Sequence, residues 1–255
     1  MSKIITVDNV SMRFNLAEDG RVTGIQAEEK TDTIKEYFVK LVKHQLHFSE
    51  FYALKNVSFS IERGESVALI GRNGSGKSTM LKIIAGVLCA SEGRVGVYGS
   101  LAPLIELGAG FDMDLTAREN IYMNGAVMGH DRKFMDANFK EIVDFAELWE
   151  FIDVPVKNYS SGMIARLGFA IATQVSADIL VVDEILAVGD FQFQQKCKAR
   201  MKKLMDGGTT VLFVSHSDDQ VQEICQRAIW LDHGNLMADG PAKEVCQIYR
   251  AAVDG

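Results

Sequence analysis

The stretch SVALIGRNGSGKSTMLKIIAGVL, residues 66–88, puts an apolar strand, a glycine-rich loop and a helix in immediate succession. No other feature constrains the chain as strongly. Within it, GRNGSGKST (71–79) has the spacing G-x-x-x-x-G-K-[ST], which binds phosphate when a strand leads in and a helix leads out. Gly71, Gly74 and Gly76 let backbone N–H groups curl around phosphate oxygens with no Cβ in the way. Arg72, Asn73 and Ser75 fill the loop between them, and Thr79 follows it into the helix. The helix that starts at Lys77 points the positive end of its dipole at the same place. Lys77 is expected to reach the β- and γ-phosphates of a nucleotide, and Ser78 to offer its hydroxyl to Mg²⁺.

A second element supports the first. ILVVDE (179–184) is a buried strand that ends in two acids, which places Asp183 at the carboxyl edge of a sheet, beside the phosphates. Asp183 is expected to hold Mg²⁺ through its water shell, and Glu184 to polarise the attacking water. VSHS (214–217) ends another buried strand with His216 at a similar edge, where it reads as a sensor of the terminal phosphate. A strand ending in acids and a lone histidine are usually structural. The phosphate loop upstream is what turns both toward chemistry. His44, His47, His130 and His233 read as surface residues.

Strand patterns at 4–14, 53–62, 66–71, 93–100, 178–184 and 209–217 interleave with helical patterns at 77–88, 118–129, 132–151, 160–175 and 193–208. The segment 228–240 reads as a hairpin around His233-Gly234-Asn235, and 243–253 as a closing amphipathic helix. Strands alternating with helices imply an α/β fold with a parallel sheet. TIKEYFVKLVKHQLHF (33–48) follows a polar loop at 15–32 and has an apolar face at Ile34, Tyr37, Phe38 and Leu41, with Lys40, Lys43, His44 and His47 on another. Such a helix suits a membrane interface or packs on its own domain with a solvated charged face.

With 47% hydrophobic residues over 255, the chain can bury a sizeable core. A net charge of −7 argues against a general nucleic-acid binder. The four cysteines form no CxxC pair, so buried reduced thiols are expected, with neither a zinc site nor a redox dithiol. No apolar signal core and no membrane-length apolar run occurs.

KNYSSGMIARLGFAIA (157–172) is more specific. It resembles the signature of ATP-binding-cassette (ABC) ATPases, with Tyr159, Ser160, Ser161, Gly162 and Met163 at the five signature positions and Arg166 at the basic position after them. The resemblance spans about residues 4–240. It implies a single nucleotide-binding domain over 1–255, with a RecA-like parallel-sheet core, an antiparallel β subdomain and a helical signature subdomain at 114–175. It further implies an insertion with an amphipathic helix at 15–50 and a C-terminal helix at 241–255. It implies ATP and Mg²⁺ as ligands, Phe14 as the aromatic stacked on adenine (Tyr52 being the competitor), Asp190 of AVGD (187–190) in a dimer-contacting loop, and His216 as the switch histidine. One chain carries one phosphate loop and one signature, so complete sites require a homodimer in which Ser160, Ser161, Gly162 and Met163 serve the partner's ATP.

YSSGMIARLGFAIA and LIELGAGFDMDLTARENI (104–121) look like the subgroup that exports cell-surface polysaccharide, in which the glutamine of the second loop is replaced. Such proteins work as 2+2 assemblies with a transmembrane permease, at the cytoplasmic face of a bacterial inner membrane, and move undecaprenyl-diphosphate-linked O-antigen or teichoic-acid type glycans. No nucleic-acid partner is implied. Glu106 falls nearest the glutamine position, with Leu107 one place away, and is expected to act in coupling to the permease. Gly108 and Gly110 are expected to let the loop bend, and Leu104, Leu107 and Phe111 to grip the partner. The sequence ends at Gly255, soon after its last helix, so no C-terminal carbohydrate-binding domain is expected. An importer, a capsule exporter, a soluble ABC ATPase and a non-catalytic module are the rival readings; the replaced glutamine and the complete catalytic set weigh against them.

Overall fold

The computed structural model describes residues 2–17, 22–23, 48–104, 108, 110–174, 177–183, 190–215 and 218–253. Its first sheet is antiparallel. Strand β1 (Lys3–Ala17) pairs along nearly its whole length with β3 (Phe48–Glu62), and also with β2 (Val22–Thr23) and β5 (Glu92–Val97). Residues 15–17 and 48–50, read from sequence as part of the insertion, belong to this pairing: Ala17 lies opposite Phe48. A cross-strand partner extends a strand past the point where its own alternation fades. The predicted helix at 33–48 otherwise lies outside the described residues.

The second sheet contains β4 (Ser66–Ile70), β6 (Leu101–Leu104), β7 (Ile179–Asp183), β8 (Thr210–Val214), β9 (Arg227–Asp232) and β10 (Asn235–Pro241), in the order β10-β9-β4-β8-β7-β6. Only β10 is antiparallel to its neighbour. Val67, Ala68, Leu69 and Ile70 are all buried, because helices or the other sheet cover both faces, as in parallel sheets generally. Since β4, β7 and β8 run parallel, the chain leaves all three at one edge. Strand β6 (LAPL) was not foreseen from the sequence; parallel pairing with β7 recruits it.

Seven helices complete the described chain: α1 (Lys77–Ile84), α2 (Ala117–Val127), α3 (Arg132–Ala146), α4 (Ser161–Gln174), α5 (Phe191–Asp206), α6 (Asp218–Ile224) and α7 (Ala242–Val253). Helix α1 buries Met80, Leu81, Ile83 and Ile84 between the two sheets, against Ile5, Val7 and Leu54 on one side and Val67, Leu69 and Leu212 on the other. A second core covers the opposite face of the parallel sheet with α4, α5 and α7. A third is formed by α2, α3 and α4 themselves. Helix α4 contributes to both, through Phe169 and Ala172 on one side and Leu167, Ala170 and Ile171 on the other.

Two helices stop earlier than their apolar patterns suggest. Helix α1 ends before Gly86 (φ 74°), and the N–H groups of Val87 and Leu88 fold back onto the Lys82 carbonyl. Helix α3 ends before Glu147 (φ 60°), whose carboxylate is gripped by Lys196 and Arg166. Tertiary ion pairs thus help hold a left-handed residue that the local pattern does not announce. The hairpin at His233-Gly234 forms as read, with both residues at positive φ, as a two-residue turn of the primed kind requires. Cys197, Cys225 and Cys246 are buried; burial pushes the thiols of Cys197 and Cys225 up to about 12, which makes them poor nucleophiles.

Phe169 is fully buried between Phe145 and Phe193, with ring centroids 5.7 and 6.5 Å away. Phe169→Ala is expected to destabilise the fold by about 3–5 kcal/mol. Chemical denaturation followed by circular dichroism measures this; a loss under about 1 kcal/mol would show that the two helical cores do not depend on this ring.

Candidate functional site

The loop between β4 and α1 is shaped by close approaches that only glycine permits. A Cβ on Gly71 (φ 147°) would stand 2.2 Å from the carbonyl oxygen of Leu231, and one on Gly76 (φ 106°) 2.5 Å from that of Ala53. Both positions are walled by backbone, which cannot give way. Gly74 (φ 80°) faces open space and is glycine for its conformation alone. The loop is also hydrogen-bonded from beneath: Gly234 N–H donates to the Ser75 carbonyl at 3.0 Å, and Lys55 N–H to the Gly234 carbonyl at 2.8 Å. So β3 and the β9–β10 turn together form the seat of the loop.

Above that seat the loop suits a polyphosphate. No side chain caps the N-terminus of α1, and Gly76 at its N-cap leaves the first N–H groups for an external acceptor. Lys77 is buried, with Nζ donating to the carbonyls of Gly71 (2.7 Å) and Arg72 (3.0 Å), so its ammonium is held over the loop. Ser78 is exposed and Thr79 half-buried. Ser75 is buried with its hydroxyl lacking a hydrogen-bond partner, an orphaned polar atom in a loop built for a polar ligand. Arg72 and Asn73 are exposed; the Arg72 guanidinium donates to the carbonyl of Val253 at 3.0 Å. This donor set suits a polyphosphate, and Lys77 and Ser78 are the side chains that open α1 beside it.

Asp183 is the last residue of β7, opposite Val214 on β8, and β8 in turn adjoins β4. The end of β7 and the start of the phosphate loop therefore share one sheet edge, separated by a single strand. Glu184 and His216 lie outside the described residues, as do Glu106 and Leu107. Phe14 is half-buried and packs on the core between the sheets. Across the ladder it faces Phe51, which is exposed, while Tyr52 faces Arg13. Phe51 is a third aromatic at this position that the sequence reading passed over.

The segment SSGM opens α4. Ser160 accepts a hydrogen bond from the Met163 N–H at 3.2 Å, the usual role of a serine at a helix start. Ser160 and Ser161 are exposed; Gly162 and Met163 are half-buried. A Cβ on Gly162 would meet nothing nearer than Ser160 Oγ at 3.8 Å, so nothing in its own chain requires glycine there. Arg166, one turn on, donates to Glu147 (2.9 Å) and Asp190 (2.7 Å) and lies over the Phe193 ring at 4.7 Å. Asp190 caps α5 by accepting from the Phe193 N–H, and that bond and then Arg166 hold its carboxyl below the usual range. Within the chain, Asp190 thus ties α5 to α4; the dimer contact implied for it is a separate question.

In the loop after β6, Gly108 has φ 91°, and a Cβ there would stand 2.4 Å from Ile164 Cγ2 of α4. Its glycine is fixed by packing as much as by φ. Gly110 lies against Asn124, whose side chain bonds its carbonyl. Phe111 is half-buried and packs on the core of α2, α3 and α4. Leu104 ends β6, and nothing is described of its side chain. What holds this region is Asn120, fully buried, which accepts from the Asp112 N–H and donates to the carbonyls of Asp112, Leu115 and Thr116. An Asn within a helical pattern carries no sequence signal for such a role.

Residues 54–187 match the family described as ABC transporter. The chain is 45% identical over 204 residues to the O-antigen export system ATP-binding protein RfbB of Klebsiella pneumoniae, covering 80% of this chain and 83% of that protein. It is 43% identical over 225 residues to the teichoic acids export ATP-binding protein TagH of Enterococcus faecalis, covering 88% of this chain but 49% of that one. Among solved structures, the ATP-binding subunit of an ABC transporter superposes with a TM-score of 0.75 at 19% identity over 97% of this chain and 93% of that one. A dimeric post-hydrolysis ATP-binding cassette bound to ADP and Pi superposes with a TM-score of 0.70 at 22% identity over 93% of this chain and 98% of that one.

Because Gly76 is walled by the Ala53 carbonyl and Leu54, Gly76→Ala is expected to displace the loop and abolish nucleotide binding, while Gly74→Ala, with open space around it, costs only its left-handed conformation, about 1 kcal/mol. Fluorescent-nucleotide titration of the two variants compares them; equal losses of affinity would contradict the packing argument.

Proposed function

The chain belongs to the ABC transporter ATP-binding family, and from that membership we propose that it is the ATP-hydrolysing subunit of an exporter of cell-surface polysaccharide, of the O-antigen or teichoic-acid type. The observation that carries the catalytic part is the seated phosphate loop, with Lys77 held over it and backbone walls that admit no Cβ at Gly71 or Gly76. The transport class rests on the identity to export ATP-binding proteins over four-fifths or more of the chain.

Mg·ATP supplies the driving reaction: hydrolysis to ADP and phosphate. The chain's own residues divide the work. The loop N–H groups and Lys77 bind and neutralise the phosphates, and Ser78 and Asp183 would hold Mg²⁺, which would neutralise charge on the terminal phosphates. Glu184 orients and polarises the attacking water, and His216 contacts the terminal phosphate. Phe14 stacks on the base. The signature residues Ser160, Ser161, Gly162 and Met163 complete the site of a second copy, so the working unit is a homodimer that closes on ATP. The glycine at 162 supports this, because it leaves unused space at an exposed helix start where a partner's phosphate can approach.

The chain works at the cytoplasmic face of a bacterial inner membrane, bound to a transmembrane permease that carries a lipid-linked glycan. Among the described residues no helix is long and apolar enough to cross a membrane itself. The loop around Glu106 and Leu107 relays the nucleotide state to that permease. The contact of Gly108 with Ile164 supports the relay, since it joins the same loop to the signature helix.

Glu184→Gln is expected to keep ATP affinity and to slow hydrolysis by about 10²- to 10⁴-fold, trapping an ATP-bound dimer. Phosphate release and size-exclusion chromatography with ATP measure both. Hydrolysis near the unsubstituted rate would remove Glu184 from its role. In the permease complex, Glu106→Gln is expected to weaken the coupling of transport to hydrolysis; unchanged coupling would remove Glu106 from the relay.

A further inference from the structure

We propose that helix α7 braces the nucleotide site from outside through two positioning residues, Arg250 and Arg72. The proposal rests on the ATPase reading above and adds a role for the chain's last helix.

Helix α7 is anchored on the parallel sheet by Ala242, Val245 and Cys246, all buried, and by Tyr249, whose ring meets Trp230 of β9 edge-on with centroids 5.6 Å apart. Its polar side reaches two loops. Arg250 pairs with Asp218, whose side chain is only 12% exposed, and lies 3.5 Å from Asp219. Asp218 opens α6, so it stands just past the end of β8. On the near side of the same connection, Ser215 is buried and donates to Gln220 at 3.1 Å. Residues 216–217 lie between these two anchors. Asp218 and Ser215 thus anchor the two ends of the connection that follows β8.

The other contact is at the end of the helix. Arg72 donates to the carbonyl of Val253, one of the last-turn carbonyls that have no partner within a helix and carry its negative dipole end. The carbonyl of the same Arg72 accepts from Lys77. Arg250 and Val253 are three residues apart and so share one face of α7. One helix face thus holds the connections that follow β4 and β8, two adjacent parallel strands. Neither arginine side chain has to touch phosphate: Arg72 sets the carbonyl that holds Lys77, and Arg250 sets the end of the connection that follows β8.

The test uses the full chain with Arg250→Ala, Asp218→Ala, the exchanged pair Arg250→Asp with Asp218→Arg, and Arg72→Met. Arg250→Ala and Asp218→Ala are expected to lower kcat for ATP hydrolysis by about three- to tenfold with KM within twofold, and Arg72→Met to raise KM for ATP by a similar factor. The exchanged pair is expected to recover at least half of the lost kcat. Melting temperatures within about 2 °C of the unsubstituted protein would separate positioning from unfolding. Unchanged kinetic constants in the single variants would overturn the proposal, as would losses that follow the melting temperature and are not recovered by the exchange. Failure of the unsubstituted chain to hydrolyse ATP would instead remove the ATPase reading. Amide exchange then decides the brace alone: faster exchange in 71–79 and 210–220 on Arg250→Ala supports it, and unchanged exchange overturns it.

Discussion

The rest of the molecule depends on the contact of backbone with backbone beneath the phosphate loop. Gly71 lies against the Leu231 carbonyl and Gly76 against that of Ala53, while Gly234, at the tip of the β9–β10 turn, both abuts Ala53 and donates to Ser75. Three distant segments meet there, carbonyl against glycine. Such contacts allow no slack, because a carbonyl cannot change rotamer as a side chain can. They explain why the antiparallel sheet and the parallel sheet must both be present: the loop is seated on one strand of the first and one hairpin of the second. The donors above the seat are then pre-arranged, and binding does not have to organise them.

Helix α4 is the second structural link. Its first turn carries the signature, its middle holds Arg166, and its far part enters two different cores. Arg166 connects it to Glu147 at the end of α3 and Asp190 at the start of α5. Ile164 receives Gly108 from the loop after β6. The loop after β6 is therefore in direct van der Waals contact with α4. The arrangement joins the three places that the proposed cycle requires to move together.

Much of this was legible in the chain itself. The strand–loop–helix order around Lys77, the buried run before Asp183, the serines and glycine of the signature, and the His233-Gly234 turn all stand where their local chemistry puts them. The omissions have a common cause. For Gly108 and Phe111, composition alone does not show that Ile164 and the core of α2, α3 and α4 lie alongside. Strand β6 was missed since its pairing with β7 comes from a segment some 80 residues away. Helix α6, seven residues long, is too short to show an apolar stripe.

Short-range chemistry, then, determined by itself that this chain holds a glycine-rich strand–loop–helix unit, a helix opened by serine and an α/β core, since glycines, apolar periodicity and helix caps act within a few residues. Only the tertiary structure decided why Gly71 and Gly76 must be glycine, that Gly108 lies against Ile164 and Phe111 packs on the helical core, and that Arg72 and Asp218 both meet α7. Those outcomes depend on carbonyls, ring faces and guanidinium groups brought together across long stretches of sequence. Close packing and hydrogen bonding act over a few ångströms, so their partners are set by the fold and by no local pattern.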